Sequence, residues 1–128
     1  MVYFRLGFVI ILVMRILEHK IQKIDLLDSE VVFDGPMVKA VVDLKRGLVG
    51  IDANMHADIE QMLLSDGSNQ DDLWGINLYP GDDGEDFIEF DSMINIRPRQ
   101  GNKSRFVEDE KIRNEIVALI KEWIVDAA

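Results

Sequence analysis

Two pairs of β-prone runs, each joined by a short segment of turn-forming residues, constrain the fold of this chain more than any other feature of its sequence. In the first pair, residues 37–44 and 48–53 are apolar and rich in β-branched side chains, and Lys45-Arg46-Gly47 separates them. In the second pair, residues 73–79 and 86–97 flank a polar loop at 80–85. The pattern predicts two antiparallel hairpins.

Three segments have the apolar spacing of helices. Residues 22–33 form the first, and the second follows Asn54 as predicted N-cap and stops at Asp66-Gly67. The third follows Asp109 as N-cap, and its apolar stripe consists of Ile112, Ile116, Leu119, Ile120 and Trp123. Together with the hairpins, these segments predict an α+β fold: a mainly antiparallel sheet of about four strands, with about three helices packed on one face.

Residues 1–13 form an apolar N-terminal extension. The run from Leu6 to Val13 is too short to cross a bilayer, which needs about 20 apolar residues. Arg5 precedes this run, and charged residues resume at Arg15, where a secretory signal would need small residues for cleavage. Two interpretations remain open: a further helix or strand docked on the body, or residues added by an upstream start codon before a true Met14. We favour the second, which leaves a single α+β domain at 14–128.

Composition excludes several classes of function. The chain has no cysteine, so disulfides, thiolate metal sites and cysteine nucleophiles are absent, and a cytoplasmic location is predicted. Its net charge of −10 repels polyanions, so neither a membrane surface nor a nucleic acid is an expected partner. No P-loop, GxGxxG or HExxH pattern occurs, and no cofactor is predicted.

Alternation along the second hairpin predicts one polar face of the sheet. Successive side chains of a strand point to opposite faces, so six polar side chains are expected together on the open face. They are Asn77, Tyr79, Glu89, Asp91, Asn95 and Arg97. This face is a candidate floor for a ligand pocket. The alternative is that these residues are only solvated cross-strand partners.

A basic loop follows the second hairpin in a chain that is otherwise acidic. Its cations are Arg97, Arg99, Lys103 and Arg105, interleaved with glycine, asparagine and serine. Guanidinium groups bind carboxylate and phosphate bidentately, and a Gly/Ser turn adds backbone N–H donors. The loop therefore predicts an anion site, unless its cations pair internally with residues 82–86 and 108–110.

Candidate metal ligands and acid–base groups are sparse. Asp82 and Asp83 offer hard oxygen ligands for Ca²⁺ within loop 82–86, but the loop lacks the spacing of an EF-hand. Glu89 and Asp91 are candidate ligands for a catalytic metal. His56 and Asp91 are candidate acid–base groups, although a lone histidine is usually structural.

Four stretches of the chain carry a recognisable pattern. They are residues 37–43 (MVKAVVD), 56–58 (HAD), 72–80 (DLWGINLYP) and 88–98 (IEFDSMINIRP). In these stretches, and from Met14 to the C-terminal helix generally, the chain resembles a family of short uncharacterised prokaryotic proteins. The resemblance implies a compact domain and leaves residues 1–13 unmatched, which supports the internal start. Because the family has no known function, the resemblance implies no activity and no site residues.

The leading hypothesis is a noncatalytic binding or interaction module. Its open sheet face and basic loop would receive an anionic small molecule or an acidic protein segment. One alternative is a metal-dependent phosphoester hydrolase or nuclease that uses His56 or Asp91. Another is a protein that binds Ca²⁺ at loop 82–86. The sequence does not decide whether the protein is an enzyme.

Overall fold

The computed structural model of the protein describes residues 2–6, 9–27 and 37–126. The described strands are β1 (Val2–Leu6), β2 (Val9–Val13), β3 (Arg15–Ile16), β4 (Ile21–Gln22), β5 (Val38–Asp43), β6 (Leu48–Ile51), β7 (Leu73–Leu78), β8 (Ile88–Glu89) and β9 (Ile124–Val125). The described helices are α1 (Lys23–Leu27), α2 (His56–Ser65) and α3 (Glu110–Trp123). Four short 3₁₀ turns lie at Gln70–Asp72, Gly84–Asp86, Met93–Asn95 and Pro98–Gln100.

A five-stranded antiparallel sheet in the order β3-β6-β5-β7-β8 forms the centre of the fold. Both predicted hairpins are present, as β5–β6 and β7–β8. The predicted α+β class, with three helices and a mainly antiparallel sheet, is confirmed, and the sheet has five strands where the sequence predicts about four. Strands β1 and β2 pair with each other, and β4 pairs in parallel with β9.

Helix α3 covers one face of this sheet. Alternate residues of β5, β6 and β7, such as Ala40, Val49 and Ile76, are fully buried in the same cluster as Ile116 and Ile120 of the helix. Each valine or isoleucine side chain buried there contributes about 1.5–3 kcal/mol of burial free energy. The predicted N-cap is confirmed, because the side chain of Asp109 accepts a hydrogen bond from the backbone N–H of Lys111.

Helix α2 packs on the residues of the sheet that point the other way. Ile59 and Leu63 of the helix are buried with Val41 and Leu73. The helix approaches β6 so closely that a Cβ atom at Gly50 would lie 2.7 Å from Ile59. The stop at Asp66-Gly67 is confirmed. The predicted N-cap is wrong: Met55 occupies the cap position, and its side chain makes no capping hydrogen bond.

The predicted strand at residues 86–97 is wrong beyond Glu89. Only Ile88–Glu89 pairs with β7, and the chain then turns through 3₁₀ geometry at Met93–Asn95 and crosses over Gly75. A Cβ atom at Gly75 would lie 2.6 Å from Cβ of Ser92, so only glycine permits this approach. The alternation predicted for this segment therefore fails after β8.

Two predictions concern the N-terminal region. The helix predicted at 22–33 is present as α1, and residues 28–36 lie outside the described residues. Residues 2–6 and 9–13 form the β1–β2 pair, and the start at Met14 stays a prediction. None of the helices in the described ranges has both the length and the apolar character needed to cross a membrane.

Candidate functional site

A row of polar side chains crosses three neighbouring strands on the face that carries α2. The register pairs Lys39 of β5 with Asn77 of β7, and Asn77 with Glu89 of β8. Directly paired residues of an antiparallel sheet have Cβ atoms about 5 Å apart on the same face. The row is therefore continuous, and Asn77 lies at its centre.

Asn77 is 5 % exposed, and only half of its amide is satisfied. Its Nδ2 donates to Oε1 of Glu89 at 2.8 Å and to the backbone oxygen of Asp91 at 3.1 Å. Its Oδ1 is buried and has no hydrogen-bond partner in the described part of the chain. A buried acceptor without a partner costs about 1–3 kcal/mol, so native proteins retain few of them.

Glu89 and Tyr79 hold one side of this row. The Tyr79 hydroxyl donates to Oε1 of Glu89 at 3.0 Å, and it lies 3.4 Å from Sδ of Met37. The same carboxylate oxygen accepts from Asn77, so one acceptor of Glu89 binds two donors. Glu89 therefore fixes the orientation of both neighbouring side chains.

Asp91 and Arg105 form a bidentate ion pair beside Asn77. Nε of Arg105 donates to Oδ1 of Asp91 at 2.8 Å, and Nη2 donates to Oδ2 at 3.0 Å. The two side chains are 54 % and 40 % exposed, so the pair contributes about 1 kcal/mol or less to stability. Because Nη1 takes no part in this pair, Arg105 retains a donor that faces away from Asp91.

His56, the first residue of α2, lies against the strand next to Asn77. Its Nε2 is 2.7 Å from the backbone oxygen of Ile76. A carbonyl oxygen can only accept, so Nε2 carries the proton and Nδ1 carries the lone pair of the neutral ring. Burial lowers the pKa of His56, the hydrogen bond to Ile76 partly offsets this, and nearby Lys39 lowers it further. The imidazole is therefore neutral at pH 7.

We call this group the Asn77 cluster. It consists of Lys39, His56, Asn77, Tyr79, Glu89, Asp91 and Arg105. Six of its members are candidate residues from the sequence, and Lys39 is the one that sequence reasoning missed. Lys39 is half-buried in β5 and has no side-chain hydrogen bond or salt bridge within the described ranges.

The other two arginines predicted to bind a ligand lie at the opposite end of β7. Arg97 is buried, donates to the backbone oxygens of Gln70 and Leu73, and stacks on the ring of Trp74 at 4.2 Å. Arg99 pairs with Asp71 at 2.9 Å. Because β7 has 6 residues and a strand rises about 3.3 Å per residue, its two ends are roughly 17 Å apart. The structure therefore does not bring Arg97 and Arg99 together with Arg105.

The N–H donors of the basic loop already bind a carboxylate of the protein. Glu108 accepts from the backbone N–H of Lys103 at 2.6 Å and from that of Ser104 at 2.9 Å. It also accepts from the Ser104 hydroxyl at 3.0 Å. These hydrogen bonds lower the pKa of Glu108. The donors of this turn therefore bind a carboxylate, and that carboxylate belongs to Glu108 of the same chain.

Asn95, another predicted ligand-binding residue, is fully buried and has a complete set of partners. Its Oδ1 accepts from the backbone N–H of Gly75 at 2.8 Å. Its Nδ2 donates to the backbone oxygen of Gly75 at 2.9 Å and to that of Arg105 at 3.0 Å. The amide thus pairs with β7 as a neighbouring strand would, and it does not reach the open face that the sequence predicts.

The acidic loop at residues 82–86 is held by a lysine. Lys23 donates to the backbone oxygen of Asp82 and to Oδ1 of Asp83 at 2.8 Å, and its ammonium lies 4.5 Å from the centre of the Phe87 ring. Among the described residues, no three histidine or acidic side chains are close enough to hold a metal ion. The candidate metal ligands Asp82, Asp83, Glu89 and Asp91 are therefore not gathered into one metal site there.

Comparison with known proteins supports the predicted resemblance. The family described as "Protein of unknown function (DUF5674)" matches residues 15–123. No curated protein matches the chain, and no solved structure matches it. Since the match runs from β3 to the end of α3, the chain belongs to this family of proteins of unknown function.

Proposed function

We propose that this protein is a noncatalytic binding module that takes a small anionic molecule at the Asn77 cluster. The observation that carries the proposal is the Asn77 amide: it is 5 % exposed, and its Oδ1 has no partner within the described residues. In the neighbouring network around Asn95, by contrast, every polar atom of the side-chain amide has a partner. An unsatisfied buried group in a native protein calls for an explanation, and a bound ligand is one, although Oε2 of Glu60 and Nε of Arg97 also lack partners in the described chain.

The charge of the ligand follows from Lys39. Lys39 is half-buried, and no carboxylate of the described chain pairs with its ammonium. Glu89 is held by Asn77 and Tyr79, and Asp91 is held by Arg105, so both nearby carboxylates are engaged. An ammonium without a counter-ion favours an anionic group on the ligand.

The same carboxylate chemistry could come from an acidic protein segment. The small molecule is the ligand that we propose. An acidic peptide in the ligand panel below tests the alternative of an acidic protein segment.

Thermal unfolding of the full chain with added anions tests the proposal. The panel contains phosphate, nucleotides, small carboxylates and an acidic peptide, and a ligand at ten times its Kd should stabilise by about 1.4 kcal/mol, or about 4 °C. Lys39→Met should abolish this shift. Lys45→Met is the matched control, because it removes the same charge from an exposed turn outside the cluster.

A second pair of variants tests the arginines. Arg105→Gln should weaken the stabilisation, and Arg99→Gln should leave it unchanged, because Arg99 pairs with Asp71 at the other end of β7. Equal loss in Lys39→Met and Lys45→Met would contradict the proposed position. Turnover of a phosphoester in the panel would instead support the hydrolase alternative, with His56 and Asp91 as its acid–base groups.

A further inference from the structure

Strand β8 is the last strand of the five-stranded sheet, and one of its edges has no neighbouring strand in the described chain. In an antiparallel pair, residues that exchange both backbone hydrogen bonds alternate with residues that exchange none. The N–H of Tyr79 donates to the oxygen of Phe87 at 2.8 Å, so the next pair, Leu78 with Ile88, exchanges none. The N–H and C=O of Ile88 therefore point away from β7, toward the free edge.

The same edge already has an antiparallel neighbour one step further along. The N–H of Ser92 donates to the backbone oxygen of Arg105 at 3.1 Å, and Asp91 forms an antiparallel bridge with Phe106. The position beside Ile88 continues the line of this neighbour. A free edge of this kind is a template for an extended peptide, because it presents a backbone donor and acceptor to a strand laid beside it.

Two cavities flank this edge, one on each face of the sheet. The first has a volume of about 710 Å³ and lies between the β8 segment and α3. The second has a volume of about 580 Å³ and lies on the face of Tyr79 and Glu89. Both cavities are lined by Glu85, Ile88 and Phe90. Because successive side chains of a strand point to opposite faces, a strand beside Ile88 would direct its side chains alternately into the two cavities.

The first cavity has the chemistry of an apolar pocket. Its lining includes Phe87, Ile88 and Phe90 of the β8 segment and Val117 and Ile120 of α3. The charged groups at its margin balance one another, because three are basic and three are acidic. They are Lys23, Arg113, Lys121, Glu85, Glu110 and Asp126. The cavity therefore suits an uncharged apolar side chain.

The second cavity is strongly acidic and partly aromatic. Five carboxylates line it, and no lysine, arginine or histidine of the described chain does. They belong to Asp82, Glu85, Asp86, Glu89 and Asp91. The rings of Phe90 and Phe106 meet edge to face at 6.3 Å in the same lining, and Phe106 is 48 % exposed. Aromatic rings beside carboxylates suit a lysine or arginine, whose stem packs on a ring while its charge meets the acids.

We infer that the free edge of β8 binds an extended peptide whose side chains alternate basic, apolar, basic. The peptide runs antiparallel to β8, as neighbouring strands of this sheet do. Its apolar side chain lies opposite Ile88 and enters the cavity beside α3. The basic side chains on either side of it enter the acidic cavity. A second copy of this chain does not fit, because it would bring its own five carboxylates against the first set.

This inference goes beyond the proposed function, because its partner is cationic and is a peptide. The backbone of Ile88 and the two cavities carry it, and Lys39, His56 and Asn77 line neither cavity. The edge is short, since β8 has 2 residues, so few backbone hydrogen bonds are available and the side-chain cavities must supply much of the affinity.

A titration of the isotope-labelled full chain with acetyl-Thr-Lys-Leu-Lys-Thr-amide, followed by NMR, tests the inference. The peptide should bind with a Kd below about 1 mM and shift the amide signal of Ile88. With about 90 % of the protein bound, hydrogen exchange at the Ile88 amide should slow by up to about tenfold. The amide of Glu89 is the control, because Glu89 pairs with Asn77 inside the sheet and should exchange slowly with and without the peptide.

Three altered peptides test the three parts of the interaction. An N-methyl group on the leucine removes the donor that faces the oxygen of Ile88, and it should weaken binding by about tenfold or more. Serine in place of the leucine should weaken binding by about tenfold, because the apolar cavity loses its occupant. Glutamate in place of both lysines should weaken binding by more than about tenfold, because like charges then face one another.

Variants of the protein locate the acidic cavity. Glu85→Gln combined with Asp86→Asn should weaken binding of the lysine peptide by about fivefold, and both side chains are exposed, so the fold should be retained. Glu18→Gln combined with Glu122→Gln is the matched control, because it removes the same charge from exposed positions outside both cavities. Lys39→Met should also leave the affinity for the peptide unchanged.

Several results would overturn the inference without bearing on the anion proposal. The first is an Ile88 amide that the peptide leaves unshifted at about 1 mM. Equal affinity of the N-methylated peptide would rule out strand addition, and equal affinity of the glutamate peptide would rule out a basic partner. An apolar dye, or self-association of the chain, that shifts the Ile88 amide when the peptide does not would assign the edge to a small molecule or to a second copy.

Discussion

Replacing Asn95 with alanine should destabilise the fold severely. The Asn95 amide is fully buried and makes three hydrogen bonds to the backbone, two to Gly75 and one to Arg105. In Asn95→Ala the N–H and C=O of Gly75 remain in the centre of β7, with no strand beside them at that position.

The magnitude follows from these three groups. A buried backbone group that loses its partner costs about 1–3 kcal/mol. The backbone oxygen of Arg105 still accepts from the N–H of Ser92 at 3.1 Å, so the loss of the third bond costs less. The two groups of Gly75 therefore account for most of a loss of about 3–5 kcal/mol in the free energy of unfolding. Domains of this size have about 5–15 kcal/mol in total, so the variant should be marginally folded.

Urea unfolding followed by tryptophan fluorescence measures this loss, because Trp74 is buried in the adjacent position of β7. Asn114→Ala is the control: Asn114 is exposed on α3, and alanine there should be neutral or stabilise by up to about 0.7 kcal/mol. A loss below about 1 kcal/mol in Asn95→Ala would refute the reasoning, because it would show that the amide does not replace a strand.

Two further predictions concern packing and pH. Gly75→Ala should destabilise by about 2 kcal/mol or more, since its Cβ would lie 2.6 Å from Ser92, whereas Gly81→Ala has no contact within 4 Å and should be nearly neutral in chemical denaturation. Burial lowers the pKa of His56 below its ordinary value of 6.5, so the unfolded chain binds more protons than the folded chain as pH falls through 6.5. The free energy of unfolding should therefore fall as the pH is lowered from 7 to 5. Urea unfolding measures this fall, which should be smaller in His56→Gln than in the wild type. His19→Gln is the control: it changes an exposed site and should show the same fall as the wild type.

The parts of the fold that the sequence predicts correctly are those whose signals are local. In β5 and β7, apolar residues occupy both faces of the strand. A nearly continuous apolar run of this length predicts a strand that is buried on both sides. In α3, one apolar stripe and the Asp109 cap identify both the type of element and its start. Each of these signals lies within a few residues of the element that it predicts.

The prediction of a strand at 86–97 is wrong beyond Glu89, because the structure that replaces the strand depends on contacts with residues distant in the sequence. Its alternation is typical of a strand, yet the pairing that β7 needs at Gly75 comes from the side-chain amide of Asn95. Asp91 instead bridges to Phe106, in a segment that the sequence places in a loop. A side chain that imitates a backbone has no periodic signature, so no pattern within the segment could reveal it.

The sequence predicts most of the residues of the candidate site, but it does not predict which of them lie together in the structure. Asn77, Tyr79 and Glu89 share a face through the short β7–β8 register, which alternation predicts. Lys39 joins them only through the pairing of β5 with β7, and His56 joins through the packing of α2. A lysine inside an apolar run was the available signal, because a strand buried on both faces rarely contains one without a reason.

Charge density and unsatisfied hydrogen-bonding groups lead to different sites in this protein, and the second is the stronger guide. The basic loop is dense in cations, but Arg97 donates to backbone oxygens, Arg99 pairs with Asp71, and Glu108 takes the N–H groups of the turn. A run of charges in a sequence says nothing about its partners, and here the fold supplies them. Asn77 carries no charge, yet its buried Oδ1 lacks any partner in the described chain. Because an unmet buried group is unfavourable until a partner reaches it, binding free energy is available at Asn77, and the buried Nε of Arg97 lacks a partner in the described chain in the same way.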